Sequence, residues 1–173
     1  HRPSRALRDE PAARAMLTLM TLAYPDWGIH PPVLDVADAL QQVIEPLDPI
    51  RAWLLAQIVY RPGSGNLGSF DVIKPGMQER ISYRSGDQFE RLRCWLLAFA
   101  EDAPTSPPDH FLSRLFGEVL SQPGFGFHAD LEAGRVIAEL VESARKFRQV
   151  LHPDGADDWR EPTREYYTLV QEG

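Results

Sequence analysis

The most regular spacing in the chain lies between Ser106 and Leu151, where apolar residues recur every three or four positions on both sides of a tight turn. Phe111, Leu112, Leu115, Val119 and Leu120 fall on one helical face. Ser106-Pro107-Pro108-Asp109 supplies its start, with Ser as a cap and Pro in the first turn, where a missing N–H costs nothing. Gln122-Pro123-Gly124-Phe125-Gly126-Phe127 ends that helix, because Pro removes a donor and Gly reaches backbone angles other residues avoid. A longer helix is predicted over 128–151, with Leu131, Ile137, Leu140, Val141, Ala144, Phe147 and Leu151 as its apolar stripe.

The same period predicts three short helices earlier in the chain. Ala15, Met16, Leu19, Met20, Leu22 and Ala23 follow a start at Asp9-Glu10-Pro11 and stop at Tyr24-Pro25. Val33, Val36, Ala37, Leu40, Val43 and Ile44 form the second, which ends before Pro46. The third opens at Asp48-Pro49 and carries Ile50, Trp53, Leu54, Ala56, Gln57, Ile58 and Tyr60. Residues 61–76 read as one long Gly/Pro-rich loop in which only 69–73 could be extended. A brief helix follows from Pro75 to Tyr83, then a longer one over 89–99 capped by Ser85 or Asp87, then a linker over 103–108. Beyond an acidic turn at 152–158, Thr163 is placed to cap a last segment over 164–172.

Period-two alternation is nearly absent, so the predicted class is all-α: a compact multi-helix domain with a long helix in its C-terminal half and one long Gly/Pro-rich loop. Residues 1–8, with three arginines and no apolar face, read as an entry arm or leftover upstream sequence, of a kind that is often disordered. Residues 9–173 read as a single helical domain, and the last segment stops in mid-pattern as a piece of a longer chain would.

A chain of 173 residues can bury roughly 70% of its unfolded surface without staples. The lone Cys94, inside Cys94-Trp95-Leu96-Leu97-Ala98-Phe99, is expected as a small core residue and fits a reducing compartment. No apolar run approaches the roughly 20 residues of a membrane helix and no signal peptide opens the chain, so the expectation is a soluble, cytoplasmic protein without membrane contact. A net charge of −7 excludes a surface basic throughout. It leaves room for a local basic patch.

Most candidate chemistry has a plainer explanation. Gly63-Ser64-Gly65-Asn66-Leu67-Gly68 has the letters of a dinucleotide fingerprint, but a helix leads in where a strand is needed, so a loop is expected. No GxxxxGK[ST] occurs. His1, His30, His110, His128 and His152 lack metal-ligand spacing, and the serines lack a GxSxG frame, so no metal, cofactor or catalytic residue is predicted in this chain. Asp158, Glu161 and Glu165 read as a solvated acidic face.

The strongest non-core signal is basic. Lys74, Arg80, Arg84, Arg91 and Arg93 fall in one section with Tyr83 and Phe89 interleaved, and Arg145, Lys146 and Arg148 crowd the end of the long helix. Arginines at helix ends beside aromatics can hold phosphates. Cations also complement a helix C-terminus, and Glu79, Asp87, Glu90 and Glu142 offer local ion pairs.

The run Asp109-His110-Phe111-Leu112-Ser113-Arg114-Leu115-Phe116-Gly117-Glu118, continuing through Gln122-Pro123-Gly124-Phe125-Gly126-Phe127-His128 to Glu142-Ser143-Ala144-Arg145-Lys146-Phe147-Arg148, resembles an internal region of bacterial superfamily 1 helicases of the UvrD/Rep type. The stretch 37–60, with Leu47-Asp48-Pro49-Ile50-Arg51-Ala52-Trp53-Leu54-Leu55, resembles an earlier part of the same region. In such proteins two RecA-like motor domains hydrolyse ATP, and inserted helical domains contact DNA or regulate unwinding. The resemblance implies an accessory, 2B-like helical domain that is not catalytic alone, with ATP and Mg²⁺ held only in the parent's motor domains. Its expected partners are DNA and the rest of the parent chain. Arg80, Arg84, Arg91, Arg93, Arg145, Lys146 and Arg148 are the expected phosphate contacts. The alternative is a protein-interaction module without nucleic-acid contact, docking through Trp27, Trp159, Tyr166 and Tyr167.

Overall fold

Proline opens four of the helices in the computed structural model, which describes residues 6–45, 47–63 and 66–173. Pro11, Pro49, Pro75 and Pro108 each occupy a first helical position, where the ring's fixed φ suits the helix and no intrahelical donor is lost. The order is α1 (Pro11–Ala23), α2 (Val33–Val43), α3 (Pro49–Val59), α4 (Pro75–Ile81), α5 (Tyr83–Asp102), α6 (Pro108–Leu115), α7 (Leu131–Leu151) and α8 (Arg160–Glu172). Among the described residues there is no strand, only isolated bridges between Ile44 and Phe125 and between Tyr60 and Leu67. The chain is all-α.

α1 lies at the centre, packed on α2, α5 and α7. Ten of its thirteen residues are buried, so it has almost no solvent stripe. At its end Tyr24 stacks on Trp27 with centroids 4.4 Å apart, and meets Phe99 and Phe111 at 5.7 and 6.0 Å. Phe99 meets Phe111 edge-on at 4.9 Å. This aromatic cluster joins α1, α5 and α6, each pair adding about 0.5–1.5 kcal/mol beyond burial.

Several local expectations change. In α7, Leu131 and Leu151 are 89% and 53% exposed, and Ala133 and Val136 take inward positions. The helix begins at Leu131, capped by Asp130, whose side chain accepts the Ala133 N–H at 3.0 Å. In α3, Ile50 is 74% exposed and Trp53 also reaches solvent, while Ala52, Leu55, Ala56 and Val59 face the core. Apolar residues run around this whole helix, so spacing could not choose the face, and the small alanines let it approach α2. α5 starts at Tyr83, six residues before the expected Phe89, and Ser85 and Gly86 are buried in it rather than capping it. Ser106 makes no cap, since Pro107 occupies that position in α6. Thr163 is buried inside α8. Cys94 is exposed on α5 rather than in the core.

A long Gly/Pro loop is not found as such between α3 and α4. Leu67 bridges to Tyr60, and Gly68 donates its N–H to the Val59 carbonyl at 2.6 Å. Phe70–Val72 forms a 3-10 turn, capped by Ser69, where an extended piece was possible. Glu90 accepts the Phe70 N–H at 2.6 Å, and the Phe70 ring packs on Gly86 where a Cβ would collide. Of the expected arm, Leu7–Asp9 forms a 3-10 turn, and Arg8 donates to the Gln171 carbonyl at 3.1 Å. Residues 1–5, Pro46, and Ser64 and Gly65 of the fingerprint lie outside the described residues.

After α6 the chain widens into a π-turn, Phe116–Leu120, closed by the Ser121 N–H on the Phe116 carbonyl at 2.9 Å. The turn 122–127 then docks on the end of α2. Gly126 donates to the Val43 carbonyl at 2.8 Å, and a Cβ there would strike the Gln42 carbonyl oxygen. Gly126→Ala is therefore expected to cost about 2–3 kcal/mol. Gly134→Ala, on α7 with open space around it, should stabilise by about 0.5–1 kcal/mol. Urea unfolding of both variants checks the pair.

Candidate nucleic-acid interface

The seven basic side chains expected to meet phosphate divide sharply once placed in the fold. Arg148 reaches from α7 to Asp109 on α6, donating from Nε and Nη2 to the two carboxylate oxygens at 2.9 and 3.0 Å. Asp109 is almost fully buried, and the bidentate pair raises the guanidinium pKa above its ordinary value. This arginine joins two helices 39 residues apart in sequence. It is a structural ion pair.

Arg145 is exposed, and its donors are spent on Glu142, one turn back, whose carboxyl the guanidinium holds below the usual carboxylate range. Arg93 is half-buried, with Nε on the Leu67 carbonyl at 3.2 Å and Nη1 on Glu90 at 3.0 Å. Since Glu90 also accepts from Ser69 and Phe70, Arg93 completes the clamp that holds the α3–α4 connection against α5. Lys146 is exposed, on the rim of an apolar groove. At the end of α7, Arg145 is thus neutralised by Glu142 of the same helix and Arg148 by Asp109 of α6.

Arg80, Arg84 and Arg91 differ. Arg80 lies in the last turn of α4, and Arg84 and Arg91 are two helical turns apart on one face of α5. All three are exposed, and among the described residues none makes an ion pair or side-chain hydrogen bond. Between α4 and α5 stands Ser82, at φ +102°, a conformation L residues rarely adopt, which ends one helix before the next begins. Arg91 sits over the Phe125 ring, 5.2 Å from its centroid. Of the aromatics expected to interleave with these arginines, Tyr83 is exposed but Phe89 is fully buried. Phe125 is the aromatic partner instead. Only the positions 84, 88, 91 and 95 along α5, a period visible in the sequence, pointed toward that face.

Further along this face Trp95 donates its indole N–H to Glu118 at 3.2 Å, and Arg114 bridges Glu118 and Asp102 at 3.0 and 3.1 Å. The Arg114 guanidinium, and secondarily the indole N–H, hold the Glu118 carboxyl below the usual carboxylate range.

Two of the histidines take structural places. His128 meets the Ser121 carbonyl through Nδ1 at 2.9 Å, and His152 sits between Phe147 and Trp159 with Nε2 3.6 Å from Glu165. Among the described residues no group of three His, Cys, Asp or Glu side chains is arranged to hold a metal.

Three of the four aromatics expected as docking residues belong to the interior. Trp27, Trp159 and Tyr166 are buried, and Tyr167 is half-buried beside Trp27. Burial pushes the Tyr166 phenol well up, and its hydroxyl donates to the Leu140 carbonyl at 3.0 Å. Apolar surface lies instead in a groove of about 520 Å³ between α7 and α8, lined by Leu7, Val150, Leu151, Leu169 and Val170. No helix of the described residues is long and apolar enough to cross a membrane. No known protein family, curated protein or solved structure matches the chain.

The two α7 arginines should separate cleanly in a stability measurement. Arg148→Ala strands a buried carboxylate and is expected to cost about 2–3 kcal/mol, discounted for the exposed side of the pair. Arg145→Ala should leave the urea midpoint unchanged.

Proposed function

We propose that this chain is an accessory helical domain of a UvrD/Rep-like ATP-dependent DNA helicase, one that positions or regulates the motor on DNA and is not catalytic alone. The observation that carries the reading is the unpaired trio Arg80, Arg84 and Arg91 in a chain of net charge −7. Elsewhere, Arg51, Arg93, Arg114, Arg135, Arg145, Arg148, Arg160 and Arg164 each meet a carboxylate. Where acids are in excess, three neighbouring arginines left open are available for an external anion. Phosphate contacts release counterions and give salt-dependent affinity, which a local patch supplies without a basic surface overall.

ATP and Mg²⁺ belong in this reading to the parent's motor domains, because no phosphate loop or acidic metal motif occurs among these residues. The interaction-module alternative draws on the α7–α8 groove, where Val150 and Leu169 are 74% and 51% exposed.

Fluorescence anisotropy with labelled duplex and forked DNA at low salt tests the proposal. The expected result is binding that weakens as salt rises, with Arg80→Ala/Arg84→Ala weakening it several-fold and lowering the slope of log K against log salt by about 2. Absence of binding, or binding indifferent to that double substitution, contradicts it.

A further inference from the structure

Three residues of the central helix α1 are not buried, Pro11, Arg14 and Thr18, and all three line one cleft of about 330 Å³. With Ala15 they stand at positions i, i+3, i+4 and i+7, a single helical face. Asp35, Asp38, Ala39 and Gln42 repeat that spacing on α2 and form the other wall. Ala15 and Ala39 are buried and small, and they floor the cleft where α1 packs on α2. Arg8 closes it from the turn before α1, held there by its Nη1 donating to the Gln171 carbonyl at 3.1 Å.

The charges of the cleft are segregated by wall. Arg8 and Arg14 come from the first turn and α1, and Asp35 and Asp38 from α2. Elsewhere on this surface opposite charges meet directly, as Arg135 does with Glu132 and Glu139, and Arg160 with Asp158 and Asp26. Here, among the described residues, the side chains of Arg14, Asp35 and Asp38 form no ion pair or hydrogen bond. Helix electrostatics account for Asp35 alone, an acid in the first turn of α2. Arg14 is a cation one turn from the start of α1, where the positive end of the dipole disfavours it, and Asp38 lies beyond the first turn of α2.

We infer that the α1–α2 cleft is a binding site for a free α-amino acid with a polar side chain, its carboxylate on Arg14 and its ammonium at Asp35 and Asp38. A simple anion is repelled by the α2 wall and a simple cation by the α1 wall, whereas a zwitterion satisfies both at once. The guanidinium fork matches the two oxygens of a carboxylate, and an ammonium brings three donors to the two aspartates. An apolar ligand would bury these charges without partners. The Thr18 hydroxyl and the Gln41 and Gln42 amides also line the cleft and offer both donors and acceptors to a polar side chain. Its volume lies at the small end of the roughly 300–1,000 Å³ of ligand pockets, which suits one amino acid. None of Arg80, Arg84 and Arg91 belongs to this site, so it stands or falls apart from the DNA reading.

A ¹H–¹⁵N NMR titration of the labelled chain with L-glutamine tests the site. N-acetyl-L-glutamine, which lacks the ammonium, and L-glutamine α-amide, which lacks the carboxylate, are the comparison ligands. L-Glutamine should give saturable shifts at the amides of 14–18 and 35–42, with a Kd of about 1 mM. Each capped ligand should bind about ten-fold more weakly or worse. Arg14→Gln and Asp38→Asn should each weaken L-glutamine about ten-fold, and Arg145→Gln, outside the cleft, should leave it unchanged. Absence of a saturable shift up to about 50 mM L-glutamine overturns the assignment. Binding of either capped ligand as tightly as L-glutamine overturns it in favour of a simple anion or cation site. Unchanged affinity in Arg14→Gln or Asp38→Asn overturns it too. Should a variant lose its dispersed amide spectrum, the three ligands compared on the wild-type chain decide.

Discussion

Burial of α1 on nearly every side is the constraint from which the rest of this fold follows. A thirteen-residue helix with ten buried positions cannot face water, so α2, α5 and α7 must each supply an apolar face against it. Small residues make that possible: Ala12, Ala13 and Ala15 in α1, and Ala37 and Ala39 in α2, allow close packing of backbones. The aromatic cluster at the end of α1 then fixes where α5 and α6 lie, and Trp27 extends it to α8 through its indole N–H on the Arg160 carbonyl at 3.1 Å. Chemistry sits on the outside of this arrangement.

Electrostatics sorts that outside. Several arginines are neutralised locally, through pairs three or four residues apart that contribute little to stability, as Arg135 and Arg145 show. Arg148 and Arg93 are exceptions of one kind, because their partners join separate elements. Arg80, Arg84 and Arg91 are exceptions of another kind, because no carboxylate or hydrogen-bond acceptor among the described residues meets their guanidinium groups. The same residue type thus performs internal fastening in one place and stands open in another, and only the placement of carboxylates tells the two apart.

Helix starts were legible where proline and a capping carboxylate act together locally, as at Asp48-Pro49 of α3, and not at α5, α7 or α8, which begin at Tyr83, Leu131 and Arg160 rather than at the expected positions. Helix faces were legible where polar and apolar residues segregate, as in α2, and not in α3, where Ile50 and Trp53 compete with Ala52 and Ala56 for the core. The candidate interface was legible as composition but not as pairing. That Arg148 belongs to Asp109, and that Arg91 belongs over Phe125, are contacts across 39 and 34 residues that no local rule specifies. Exposed aromatics were misjudged for the same reason: Trp159 and Tyr166 look amphipathic in sequence, yet tertiary packing of α8 on α7 encloses them.

In the proposed function the open arginines of α4 and α5, and the turn beside them, meet a nucleic acid. The most direct measurement is a two-dimensional NMR titration of the isotopically labelled chain with forked DNA. Shifts are expected at Arg80, Arg84 and Arg91 and at the backbone of 122–127, with the α7–α8 groove unchanged. Shifts confined to that groove, or none at all, would contradict it.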